Sequence, residues 1–150
     1  MEEKNQSLLY FAYGEHMNEN EMTRLFPHAR MMGKSRLPDY CLSFVGRDGM
    51  ARAALLPRRG HSVPGRLWSL QASDADILDR DADAPHFARP ELYMFDVEGM
   101  TVPALVYITV PGQPSGRPGF VTYDLMREAY EAAGESLDTL RQLAMQCAPS

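Results

Sequence analysis

"YFAYGEHM", residues 10–17, is the stretch on which the reading of the fold turns. From Leu8 to Tyr13 the chain is apolar enough for a strand buried in a sheet, and at Gly14 it breaks into two ionisable side chains, Glu15 and His16. A strand that ends on glycine exposes backbone N–H groups. Asn18 or Asn20 then stands where a short helix needs its cap; Met22, Leu25 and Phe26 face inward, and Pro27 ends the helix. Such a corner suits an anion, yet Glu15 in it repels one.

Outward from this corner, residues 29–36 and Tyr40 to Val45 read as strands, and Arg47-Asp48-Gly49 as a turn. A strand over Arg52 to Leu56 precedes a loop over Pro57 to Gly60. "VPGRLWSL" (63–70) is the next strand, with Leu67 and Ser69 on one face and Trp68 and Leu70 on the other. Ser73, with Asp76 three residues on, has the form of a capping box. Its helix puts Ala75, Leu78 and Ala82 on one face and Asp76, Asp79 and Asp83 on the other.

Pro85 and Pro90 bracket an irregular link. Glu91 to Val97 and Val102 to Val110 form a hairpin through Glu98-Gly99. "PGQPSGRPG" (111–119) is too rich in proline and glycine for regular structure and reads as a flap. Val121 to Ala133 is a helix closing on Gly134. Ser136 caps a last helix carrying Leu137, Leu140, Leu143 and Ala144. The order of elements predicts one α+β domain over residues 1–150, its mostly antiparallel sheet curled on itself.

Composition narrows the function classes. The formal net charge of −5 argues against a nucleic-acid partner, and the basic spots Arg58-Arg59 and Arg30 to Arg36 read as solvated loops. No apolar run reaches the roughly 20 residues of a membrane span. The acidic start, MEEKNQS, lacks the form of an export signal, so the expected location is the cytoplasm. There Cys41 and Cys147 are expected to be free thiols. The expected partner is a small-molecule substrate or ligand, with no nucleic acid and no membrane, and the expected state is monomer or homodimer.

Several motifs fail on spacing. Gly33-Lys34-Ser35 lacks the earlier glycine of a phosphate-binding loop, because His28 stands there. His16, His28, His61 and His86 have neither helical metal spacing nor a cysteine pair, so neither a metal nor an organic cofactor is expected. Ser115 in Gly112-Gln113-Pro114-Ser115-Gly116 is one residue too late for a nucleophile elbow.

A resemblance does run along nearly the whole chain. "YFAYG-x-x-M", "GMARAALLP" (49–57), "VPGRLWSL", "ILDR" (77–80), "VYITVPGQPSGRP" (106–118) and "MREAYEAAG" (126–134) stand in the order and spacing of the γ-glutamylcyclotransferase-like (AIG2-like) family. That family includes bacterial members related to the butirosin-maturation cyclotransferase. The resemblance implies a small mixed β-barrel with surrounding helices. It also implies an acyltransferase or lyase that closes a γ-glutamyl amine into 5-oxoproline and releases an amine, with no cofactor.

The family loop is Tyr-Gly-Ser-Asn, with backbone amides that hold the γ-glutamyl part. Here Tyr13 and Gly14 match, but Glu15 and His16 replace the last two residues. The family's catalytic glutamate, in Leu-Asp-x-x-Glu-Gly, falls on Ala82, and the following glycine falls on Asp83. The candidates for the lost carboxylate are Glu15, Asp81 and Asp83. On a regular helix Asp81 and Asp83 each point about 100° away from position 82. The expected substrate-binding residues are Tyr13, Gly14, Glu15, His16, Met17 and Tyr123. Phe11, Phe44 and Trp68 read as core. The favoured reading is an enzyme with altered acid/base residues and an altered substrate. The alternative is a catalytically inactive member of the fold that binds a small molecule or a partner.

Overall fold

The computed structural model describes residues 7–145, and the backbone alone at 144 and 145. The acidic segment 1–6, Cys147 and the Ala144 side chain therefore lie outside the described residues. Cys41 is a free, half-buried thiol. The elements run β1 (Ser7–Ala12), α1 (Glu19–Leu25), β2 (Arg30–Val45), β3 (Arg52–Gln71), α2 (Ala75–Asp81), β4 (Ala88–Val97), β5 (Met100–Thr109), α3 (Phe120–Ala133) and α4 (Asp138–Met145). A 3-10 turn over Glu15–Met17 separates β1 from α1.

The sheet order is β2-β3-β1-β5-β4, with every neighbouring pair antiparallel except β1 and β5. This is the expected α+β architecture with a mixed sheet. As a barrel it is not closed: among the described residues β2 and β4 share no ladder. The curl does bring these edges together, and the Tyr40 and Tyr93 hydroxyls meet at 2.9 Å. The core fills the curl with Trp68, Phe26, Phe44 and Phe11, the last stacked on Phe95 at 4.7 Å between centroids. Phe11, Phe44 and Trp68 are core, as their sequence context indicates.

The main difference from the sequence reading is continuity. The expected breaks at 37–39 and at Pro57–Gly60 interrupt no strand, because β2 and β3 form one long ribbon. Their register shifts between Pro38 and Tyr40, opposite Ser62 and Pro57, so residues 58–61 bulge out over Asp39. Asp39 and Gly60 absorb the bulge at φ 68° and 86°, and Asp39 accepts from the Gly60 N–H at 3.1 Å. Pro57 and Pro64 are tolerated because β1 pairs with β3 only over Arg66–Gln71, which leaves this part of β3 with a single neighbour. Edge position likewise admits Pro90 to β4, a strand that begins at Ala88 where the link was expected.

Two further expectations are corrected. The capping box lies over Gln71 and Asp74, and α2 starts only at Ala75, because a 3-10 turn over Ala72–Asp74 takes the place of the first helical turn. The 111–119 segment is laced to the β2–β3 turn and does not hang as a flap. Gly46 N–H donates to the Pro114 carbonyl, Gly116 N–H to the Phe44 carbonyl, and Gly49 and Ala51 N–H to the Arg117 carbonyl. The basic residues near 30–36 lie on β2, where Lys34 caps the C-terminal carbonyl of Ala133 at 2.8 Å and Arg36 pairs with Glu135 at 2.8 Å.

Candidate active site

The break at Gly14 sits at the mouth of a cavity of about 140 Å³. Its wall takes residues from the end of β1, the loop after it, the start of β3, the end of α2, the start of β4, β5 and the first turn of α3. Strand ends meeting helix ends in this way produce a concave site on a rigid frame. Asn18 fixes the loop: its side chain caps α1 by accepting from Glu21 N–H at 3.1 Å and donates to the Leu125 carbonyl and to Glu128 on α3. Arg66, buried on β3, donates to the Met17 carbonyl at 2.9 Å.

Within this frame His16 is buried between two partners. Tyr10 Oη lies 2.7 Å from Nδ1, and Asp81 Oδ2 lies 2.8 Å from Nε2. Burial raises the Tyr10 hydroxyl well above the usual phenol range, so it keeps its proton, while the Asp81 carboxylate can only accept. Nε2 then carries the imidazole proton toward Asp81. That hydrogen bond, stronger than the opposing desolvation, holds the Asp81 carboxyl below the usual carboxylate range.

Glu15 stands on the other side of this loop. Its Oε2 accepts from the Thr122 hydroxyl in the first turn of α3. Among the described residues no Lys, Arg or His forms an ion pair with Glu15. Ala82 caps the end of α2, its N–H still bonded to the Leu78 carbonyl at 2.9 Å, and it lines the cavity.

Of the candidates, Tyr13, Gly14, Glu15, His16 and Asp81 are gathered at this one cavity. Asp83 is placed elsewhere: it leaves the helix at φ 52°, is exposed, and faces His86 at 3.7 Å. Met17 is fully buried beneath the loop, and Tyr123 packs against the core, so neither lines the wall. Asp79 is half-buried, and its hydrogen-bond partner comes from β5. It accepts from the Tyr107 hydroxyl at 2.5 Å, an arrangement that, with burial as the larger cause, pushes the Tyr107 phenol upward. Tyr13 in turn donates to the Tyr107 carbonyl at 2.6 Å, and burial raises its own hydroxyl to about 12.

Tyr10, Arg52, Phe87, Tyr107 and Thr122 also line the cavity and were missed in the sequence. Four of them sit in stretches whose composition reads as core or as loop. Arg52 did carry a signal, a lone charge inside the otherwise apolar "MARAALL".

The fold has known counterparts. Residues 10–127 match the family described as gamma-glutamyl cyclotransferase, AIG2-like. The chain belongs to that family. No curated protein matches it in sequence. Among solved structures it is similar to a γ-glutamyl cyclotransferase at TM-score 0.79 and 19% identity, covering 93% of this chain and 88% of that one. An uncharacterized protein from Homo sapiens is similar at TM-score 0.79 and 19% identity, over 94% of this chain and 88% of the other. YkqA from Bacillus subtilis is similar at TM-score 0.78 and 18% identity, over 97% of this chain but 57% of its own length. At these identities the likeness is one of fold. In this chain Ala82, Glu15 and Asp81 all line the cavity.

Proposed function

We propose that the protein carries out intramolecular aminolysis of a γ-glutamyl amine or a related acyl amine, releasing 5-oxoproline and an amine, with Glu15 as the base. The observation that carries this reading is Glu15 itself: a carboxylate on the cavity wall, held by Thr122 and without a cationic partner among the described residues. A substrate ammonium is the missing partner. Asp81 is less available, because His16 already holds its Oδ2.

In the reaction Glu15 takes the proton that frees the α-amine's lone pair. The nitrogen attacks the γ-carbonyl carbon, a five-membered lactam closes, and the bond from that carbon to the departing nitrogen breaks. The α-nitrogen sheds two protons, and they leave on the departing amine as its ammonium. Because the attack is already intramolecular, the cavity's part is to hold the amine against the carbonyl in a reactive conformer, and general-base help contributes a further ~10²–10⁴-fold. The Tyr10–His16–Asp81 chain holds the loop that presents Glu15.

The test is 5-oxoproline release from a panel of γ-glutamyl amines and dipeptides. Glu15→Gln is expected to lower kcat by about 10²–10⁴-fold, and adding Ala82→Glu in the same chain to recover part of the loss. Equal turnover by wild type and Glu15→Gln would remove Glu15 from the chemistry. A silent wild type that gains activity with Ala82→Glu would make this a binding member of the family.

A further inference from the structure

The cavity holds one cation that its own carboxylates do not satisfy. Arg52 opens β3 opposite Val45, and its guanidinium sits over the Phe87 ring, 4.6 Å from the centroid. Its Nη2 donates to the Asp81 backbone carbonyl. Among the described residues it forms no ion pair with Asp or Glu. Asp81's carboxylate is engaged by His16, and Glu15's by the Thr122 hydroxyl. One wall thus carries a half-buried guanidinium without a carboxylate, and a carboxylate without a cation.

We propose that Arg52 binds the α-carboxylate of the substrate, so that the cavity recognises an amino-acid zwitterion, with its carboxylate on Arg52 and its ammonium on Glu15. This deepens the cyclisation reading above and rests on it for the substrate class. Three physical points support it. A guanidinium presents five N–H donors in a planar fork that matches a carboxylate, and one donor spent on the Asp81 carbonyl leaves several for a ligand. The Phe87 ring fixes the group by a cation–π contact, so little side-chain entropy remains to be lost on binding. Glu15 meanwhile makes the β1 loop hostile to a second carboxylate, because like charges in a partly dry site repel. The anion end of the ligand is therefore directed away from that loop, toward Arg52.

The experiment compares L-glutamine, the smallest γ-glutamyl amide, with 4-aminobutyramide, the same molecule without its carboxylate. Calorimetric binding of both is measured with wild type, Arg52→Met and Arg52→Lys, alongside turnover of γ-glutamyl amines and their decarboxylated counterparts. Wild type is expected to bind glutamine about 10- to 100-fold more tightly than 4-aminobutyramide. Arg52→Met is expected to lose that preference with 4-aminobutyramide binding unchanged. Arg52→Lys, which keeps the charge without the fork, is expected to fall between them, with a raised KM and a smaller change in kcat. A wild type without the preference, or a preference that survives in Arg52→Met, would overturn the proposal. Loss of 4-aminobutyramide binding together with glutamine binding in both variants would also overturn it, since it would mark Arg52 as a structural support of the cavity. A preference that depends on Arg52 while no 5-oxoproline forms on any substrate would sink the cyclisation reading and leave the zwitterion site standing.

Discussion

Gly65 has no room for a side chain: a Cβ there would lie 2.4 Å from the Ala12 carbonyl oxygen and 2.5 Å from the Phe11 ring. Both obstacles belong to β1, the strand that delivers the Gly14 loop, so the close approach of β3 to β1 is part of how the site is placed. Gly65→Ala is expected to cost at least about 1–3 kcal/mol in denaturant unfolding. Asp81 offers a pH test on the same scale. Its folded-state pKa is depressed, so its contribution to stability is present above the unfolded value of about 3.9 and is lost as pH falls through the folded value. The stability gap between wild type and Asp81→Asn should therefore be flat near neutrality and close only below about pH 4. A gap left unchanged on acidification would show that the Asp81 charge contributes nothing to the fold. At this scale the sequence was legible where residue type broke the local pattern, as at Glu15 and His16 after an apolar strand. The partner of Asp79 was not legible, because helical periodicity tells which face a residue shares and not which group, here Tyr107, comes to meet it.

The segment 111–119 belongs to the scale of elements. It is held by backbone hydrogen bonds and by Asp48, whose carboxylate accepts from Arg117 Nη2 at 2.7 Å and from the Arg117 N–H at 2.8 Å. These bonds lower the Asp48 carboxyl to about 2. The tie is consequently complete above about pH 4 and released only as pH falls toward 2. Asp48→Asn is expected to speed amide exchange at Gly49, Ala51 and Gly116 while leaving the unfolding midpoint nearly unchanged, because exposed ion pairs contribute little to global stability. Slow exchange persisting in that variant would show that the backbone bonds suffice. Both late helices and the β4–β5 hairpin were readable, since their glycine and serine caps and the Glu98-Gly99 turn are local signals. The length of β2 and β3 was not, because a proline stops a strand only where its nitrogen must donate, and which side of a strand lies unpaired is decided by distant residues.

For the molecule as a whole, the curl of the sheet was expected and its closure was not achieved by backbone. The Tyr40–Tyr93 hydroxyl pair spans the two edges, and burial is the main cause raising the Tyr93 phenol. Tyr93→Phe is expected to lower stability by about 0.5–1.5 kcal/mol, measured in urea. An unchanged midpoint would mean that the edges hold together by ring packing alone. The family resemblance conveyed the α+β architecture from ordered landmarks but implied a closed barrel where the sheet is open. The chemistry of the cavity was only partly visible, because Arg52, Tyr107 and Thr122 reach it from strands and a helix far apart in the chain.

The middle place of β1 in the strand order has a consequence for biosynthesis. Among the described strands Ser7–Ala12 is translated first, yet its two neighbours are β3 and β5, which end at Gln71 and Thr109. On a ribosome adding about 5–20 residues per second, this apolar ribbon waits several seconds with at least one edge bare, the condition under which nascent chains recruit chaperones or aggregate. Chains stalled before residue 100 are expected to stay protease-sensitive at β1, and chains long enough to free Thr109 from the exit tunnel to become resistant together with the cavity.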